Sequence, residues 1–224
     1  MGRDTTNDQL WHWIHSERRR LLSLLESLSA AQWSAASLCA GWSVTEVAAH
    51  VASSAGSRPI DVVRAMMRGH GNFNRAIYLE GRRLGARGPA AVLAELRRFD
   101  GSLSHPLFTT RWDPLVDVLV HGQDIALPLG LDLPMPPQAA AAAAGHVWST
   151  PFPFRARHRL RGLRLAATDA DWSAGSGAAV HGPISALLLL MTGRTAQLAQ
   201  LEGEGAADLF RRQQPSRQQH WRKS

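Results

Sequence analysis

The stretch LVDVLVHGQDI, Leu115 to Ile125, is apolar on almost every turn yet carries Asp117, His121 and Asp124. In a helix, at about 100° per residue, Asp117 and His121 lie about 40° apart and Asp124 about 20° on the far side of Asp117, so the three share one strip. Leu115, Val116, Val118, Leu119, Val120 and Ile125 cover most of the remaining circumference. Two readings compete. Either the strip faces water and Asp117 and His121 are an ordinary solvent-side pair, or it faces inward, where a lone charge costs several kcal/mol unless it is paired or bound to a metal.

A second imidazole bears on that choice. SVTE, Ser43 to Glu46, has the form of a capping box and opens a helix whose apolar arc is Val44, Val47, Ala48, Val51 and Ala52. His50 sits at the edge of that arc, placed to lean toward a bundle interior. A lone histidine there reads equally as a satisfied boundary residue. Two imidazoles and one carboxylate, however, form a common donor set for a divalent ion of zinc or nickel type with positions left open for water or substrate. Side chains four apart on a helix can share one ion, and the third ligand then comes from another helix. The candidate ligands are therefore His50, Asp117 and His121, with Asp124 placed to orient a ligand from outside the set. Glu46, four before His50, is an internal rival already occupied by its cap.

Working outward, the chain reads as helical before this segment and mixed after it. Leu10, Trp13, Ile14, Leu21, Leu24, Leu25 and Leu28 predict an amphipathic helix over 8–28, with Arg18, Arg19 and Arg20 off its buried face. A helical stretch from Pro59 to about Leu84 is broken at GHGN, Gly69 to Asn72, and a short helix follows Pro89. Asp113-Pro114 reads as a cap followed by proline in the first turn. LPLGLDLPMPPQ, Leu127 to Gln138, with four prolines and no period, reads as a linker. Beyond it come an alanine-rich helix to about Trp148, two or three strands in RLRGLRLAATDADWSAGSGAAVHG, a helix opened by Pro183 and closed near Gly193, and a last short helix around 196–201. The expected organisation is a helical bundle over 1–130, a small α/β unit over 131–210 and a basic, disordered tail over 211–224.

Composition sets the outer limits. In 224 residues with a 45% apolar share there is material for a real core. The formal charge of +7 suggests nucleic acid until it is located: Arg211 to Ser224 holds five basic residues and no acid, leaving +2 for residues 1–210. No specific nucleic-acid partner is expected. Cys39 is the only cysteine, so an intrachain disulfide and a thiolate cluster are both excluded. It reads as a small buried apolar residue, and Trp42 as a core plug that could also wall a pocket. His12, His15, His70, His146 and His158 read as surface residues. The longest apolar run, Ala186 to Met191, is too short to cross a bilayer, and no secretory leader is evident at the start, so a cytoplasmic protein is expected.

LSAAQWSAASLCAGWSVTEVAAHV (Leu28 to Val51), DPLVDVLVHGQDIALPLG (Asp113 to Gly130), ATDADWSAGSG and HGPISALLLLMTGR together resemble the mycothiol-dependent maleylpyruvate isomerase family, over roughly residues 10–205. The resemblance implies a DinB-like metal-binding four-helix bundle joined to a small α/β, sterol-carrier-like domain. It implies a zinc-type ion on His50, Asp117 and His121, with mycothiol as the thiol cofactor. The thiolate would add to the cis double bond of a small electrophile, and rotation and elimination would give the trans isomer. Arg194, closing the C-terminal helix, is the candidate clamp for substrate carboxylates; a surface cation near a helix C-terminus is the alternative. Asp117 stands where the isomerase has glutamate, and His181 where an arginine is expected before Gly-Pro. The rival from another class is a non-enzymatic protein that binds a metal and a hydrophobic ligand. A monomer and a homodimer fit equally.

Overall fold

The computed structural model describes residues 6–54, 56, 58–105 and 109–213. Its elements are α1 (Asn7–Glu26), α2 (Ala30–Ser34), α3 (Val44–Ser54), α4 (Pro59–Arg68), α5 (Phe73–Gly85), α6 (Pro89–Arg98), α7 (Asp113–Ala126), α8 (Pro137–Ser149), α9 (Ala156–Arg159), β1 (Leu163–Ala167), β2 (Ser173–Gly175), β3 (Ala178–Gly182), α10 (Ile184–Met191) and α11 (Glu204–Gln213). Contacts divide the chain into two compact units, with the break between Met135 and Pro136. The architecture is a helical bundle followed by a small α/β unit, as the sequence leads one to expect. Among the described residues no helix is long and apolar enough to cross a membrane.

In the first unit α3 is the hub, lying against α5, α6 and α7, while α1 packs on α7 and α6. The capping box forms: the Ser43 N–H donates to Glu46 Oε2 at 2.6 Å and the Glu46 N–H donates back to Ser43 Oγ at 3.4 Å. The apolar arc of α3 is then committed to the core, with Val44, Val47 and Ala48 fully buried against Leu21, Leu25, Val118 and Ile125. GHGN separates α4 from α5. Any side chain at Gly69 would meet the Ala76 backbone nitrogen at 2.7 Å, and His70 and Gly71 both take positive φ, so the helix cannot run through.

Three details differ from the sequence reading. Arg18 is not off the buried face of α1: it is only 6% exposed, on one stripe with Ile14, Leu21 and Leu25. The run of three arginines reads as a solvated face, but four- and seven-residue spacing from Ile14 puts one of them inward. Asp113 does not cap α7; it lies inside the first turn and its carboxylate accepts from the Thr110 hydroxyl at 3.0 Å, tying down the preceding turn. His15 is half-buried, with Nε2 3.2 Å from the Ser102 carbonyl.

The second unit has a three-stranded sheet in the order β2-β1-β3, with β1 antiparallel to β2 and parallel to β3. The apolar α10 is buried from Ala186 to Met191 and packs on α8. The short helix expected at 196–201 is a 3-10 turn, Leu198–Gln200, and α11 extends through Arg211 to Gln213, so a helix occupies the first residues of the expected tail. The remainder, 214–224, lies outside the described residues.

Helix α5 lies tightly against the start of α3. A Cβ at Gly81 would stand 2.4 Å from Trp42 Cζ2, and one at Gly85 would stand 2.7 Å from Glu46 Cγ. Helix propensity alone favours alanine over glycine by about 1 kcal/mol, whereas overpacking a tight contact costs about 1–3 kcal/mol. Gly81→Ala is therefore expected to lower the melting temperature, read by thermal unfolding. A variant as stable as the parent would show that α5 does not sit this close to Trp42.

Candidate metal centre

The question raised by α7 has a structural answer. From Pro114 to Ala126 every residue is buried except Asp117 and His121, which are half-buried. The helix is enclosed on nearly all sides, and its polar strip is the one place where the enclosure opens. Toward the C-terminal end that strip is sealed, with Asp124 at 0% exposure.

Asp124 is paired rather than left alone. Its Oδ2 is 2.8 Å from His121 Nδ1 and 3.1 Å from the Cys39 Sγ, which donates to it. The Leu38 N–H donates to the Asp124 backbone carbonyl at 3.0 Å, so the loop before α3 is fastened directly to α7. Within that loop the Ser37 hydroxyl donates to the Trp42 carbonyl at 2.9 Å, the Cys39 N–H donates to Ser37 Oγ at 3.1 Å, and Gly41 turns the chain at φ 78°. The turn delivers Trp42 to the His50 ring, centroid to centroid 5.5 Å. Trp42 is thus both a core residue, 6% exposed, and a wall beside the imidazole.

The His50 and His121 rings meet edge to face at 5.0 Å. One donor atom from each of His50, Asp117 and His121 lies within 4.8 Å of the others, and all three residues are half-buried. Helices α3 and α7 therefore bring together the three residues singled out from the sequence. A second group, Cys39, His121 and Asp124, meets the same distance condition and shares His121. The spacings separate the two. Ligands at about 2.1 Å from one tetrahedral ion stand roughly 3.4 Å apart, and 2.8 Å between Asp124 and His121 is instead a hydrogen bond. Asp124 and Cys39 occupy the Nδ1 face, which leaves Nε2 of His121 as the nitrogen available to an ion. A carboxylate on the far nitrogen of a ligating histidine fixes its tautomer and strengthens it as a donor.

Electrostatics follow from the same contacts. Burial alone would push the His121 imidazole down, but the hydrogen bond to Asp124, the contact with Cys39 and the charge of Asp117 overrule it and raise the pKa from 6.5 to about 10. Without an ion the ring is an imidazolium at neutral pH, and a divalent cation would take the place of that proton. The donor set, its half-buried setting and the held tautomer all fit a divalent ion.

Cys39 was read from sequence as a small buried apolar residue; it is instead half-buried and hydrogen-bonded to the pair that supports the site. Its neighbours in the sequence give no sign of this, because Asp124 is 85 residues away. Arg194 lies in the second unit, half-buried beyond the end of α10, with Nη1 donating to the Thr192 carbonyl at 2.8 Å. His181 is exposed on β3, bridged through its backbone to Glu202.

Comparison with known proteins bears on the fold. No curated protein matches the sequence. A family model, mycothiol maleylpyruvate isomerase N-terminal domain, matches residues 14–104. Similar solved structures include a histidine-to-alanine variant of the mycothiol-dependent maleylpyruvate isomerase, with TM-score 0.64 and 16% identity over 91% of this chain and 95% of that chain. A second structure of the mycothiol-dependent maleylpyruvate isomerase has TM-score 0.60 and 15% identity over the same shares. At such identities the likeness establishes a common fold. The family model reaches residues 14–104, less than half of the chain, and the fold shared with these structures extends over most of its length.

Proposed function

We propose that the protein is a metal-dependent isomerase or transferase that uses a low-molecular-weight thiol, mycothiol, against a small electrophilic substrate. The observation that supports this best is the convergence of His50, Asp117 and His121 donor atoms within 4.8 Å at a half-buried position. Three protein donors leave room for exogenous ligands, the arrangement of catalytic sites, whereas a closed set of four would favour a structural ion and the binding-protein reading. A divalent ion held there, zinc by donor type, would lower the pKa of a thiol and so supply a nucleophile at neutral pH.

The chain's own residues have defined parts in this reading. His50 and His121 present imidazoles from two helices, and Asp117 supplies the one formal negative charge. Asp124 holds His121 in register, with Cys39 donating to the same carboxylate. Trp42 covers one side of His50 and excludes water there.

Metal analysis of purified variants tests the site. His121→Ala and His50→Ala are expected to lose the bound ion, and Cys39→Ser to keep it. Retention by His121→Ala would overturn the assignment, and loss by Cys39→Ser alone would move the ion to the other face of His121. Thiol consumption with a panel of electrophiles then tests the activity.

The His121 pKa gives a pH dependence with a definite sign. A folded-state pKa of about 10 against an ordinary 6.5 stabilises the metal-free protein fully below pH 6.5, and that contribution disappears as pH rises through 10. Because an ion must displace the Nε2 proton, binding at pH 7 to 8 is expected to release about one proton from His121. Calorimetric zinc titrations in buffers of different ionisation enthalpy count that proton; a count of zero would mean the ring is already neutral before the ion arrives.

A further inference from the structure

Among the described residues of the bundle, Arg18 is the one buried group whose contacts do not account for it. It lies on the same face of α1 as Ile14, Leu21 and Leu25, each 0% exposed, and is itself 6% exposed. A guanidinium carries five N–H donors and cannot shed its proton in a protein. Here Nη1 donates to the Ser102 carbonyl at a long 3.3 Å, and Nη2, fully enclosed, has no hydrogen-bond partner among the described residues. The nearby acids are engaged elsewhere: Glu17 holds Arg20 at 2.8 Å, and Asp100 holds Arg19 at 3.0 and 3.1 Å. The same Ser102 carbonyl also meets His15 Nε2 at 3.2 Å, which makes that nitrogen an N–H donor, since a carbonyl only accepts. Leaving a buried charged donor unmade costs more than a neutral one. A position four residues after Ile14 would be filled at no such cost by leucine.

We propose that Arg18 is the receptor for a carboxylate of the small molecule that binds beside His50, Asp117 and His121. This rests on the proposed function for the identity of the reacting end, while the Arg18 subsite stands on α1 itself. Helix α1 packs directly on α7, which carries Asp117. Burial pulls the Arg18 pKa down, and the charges that oppose the pull are Asp117 first and Asp100 second. The guanidinium is thus in the field of the same carboxylate that faces the candidate ion. Once Asp117 is engaged by a divalent cation with two neutral imidazoles, the ion's second charge faces Asp124 behind His121 and the charge of Arg18 stands unbalanced. A ligand carboxylate that displaces the groups now enclosing Nη2 offsets that charge and supplies the missing hydrogen-bond partner, through the planar geometry in which arginine excels over lysine.

The test uses succinate as probe on the full-length protein, metal-free and zinc-loaded, by isothermal titration and by the shift in melting temperature. The parent is expected to bind succinate in both forms, and succinate to raise its melting temperature. Arg18→Met keeps the length and apolar contact of the stem; it is expected to weaken succinate by at least about tenfold and to abolish the thermal shift. The ligand-free variant is expected to melt no lower than the parent, because an unsatisfied buried charge has gone. Should Arg18→Met not fold, Arg18→Lys is expected to retain the fold and lose most of the succinate affinity. Succinate binding equal to the parent's in the folded variant, or no succinate binding by the parent in either form, overturns the proposal. Zinc content is measured on the same samples and is expected to be unchanged by Arg18→Met. Failure of the metal site, seen as zinc retention in His121→Ala, is thereby read separately from failure of the Arg18 subsite.

Discussion

A carboxylate with no exposure to solvent, three residues from an imidazole on the same helix, constrains everything around it. Asp124 could not remain ionised in the bundle without a donor, and the donor it has is His121 Nδ1 at 2.8 Å. That bond has two consequences. It spares the interior an uncompensated charge, which would cost several kcal/mol, and it turns the other ring nitrogen away from Asp124. In the proposed reading that nitrogen is the one left for an ion. Cys39 completes the arrangement as a second donor to the same oxygen.

The loop before α3 can be understood from the same requirement. To bring a thiol against a residue deep in α7, the chain must cross the end of the bundle closely, and it does so through the Leu38 amide on the Asp124 carbonyl, the Ser37 hydroxyl bonds and the left-handed turn at Gly41. That path deposits Trp42 between His50 and α5, and the small residue at Gly81 is what admits the indole. A glycine in the middle of a helix would otherwise be a net cost. Its presence in α5 is explained by a tryptophan on another element, and through it by the position of an imidazole.

Much of the fold was legible because it is written in periods and caps. The α3 capping box, the break at Gly69 to Asn72, the proline-rich stretch after α7 and the alternation of β1 to β3 are all local signals. That His50, Asp117 and His121 converge was legible too, because helical geometry fixes which side chains share a strip and a bundle has few interiors. The supporting residues were not. The bond between Cys39 and Asp124 spans 85 positions and follows from the path of a loop, on which periodicity is silent. Arg18 was misread for a different reason: its neighbours Arg19 and Arg20 carry the signature of a solvated face, and charge outweighed spacing in the reading. The spacing from Ile14 to Leu21 and Leu25 held the correct answer.

That error points to a general feature of this bundle. Where propensity, apolar pattern and polar satisfaction agree, as along α3, the sequence specifies packing and little else. Where they conflict, the conflict is concentrated on two strips: Arg18 on an otherwise apolar face of α1, and Asp117, His121 and Asp124 on an otherwise apolar α7. A bundle built for stability alone would carry leucine or alanine at each of these positions, since replacing buried ionic groups by apolar ones of similar volume is commonly neutral or favourable. Conflicts of this kind are expected at sites that bind or react. Here they fall on helices that touch, and they are of complementary sign: a cation on one strip, carboxylates with imidazoles on the other. Among the described residues no ion pair joins Arg18 to Asp117, although Asp117 is the first of the charges that oppose the desolvation of Arg18. Arg18 Nη2 is left without a hydrogen-bond partner there, and a buried donor in that state is the condition under which an entering anion gains the most.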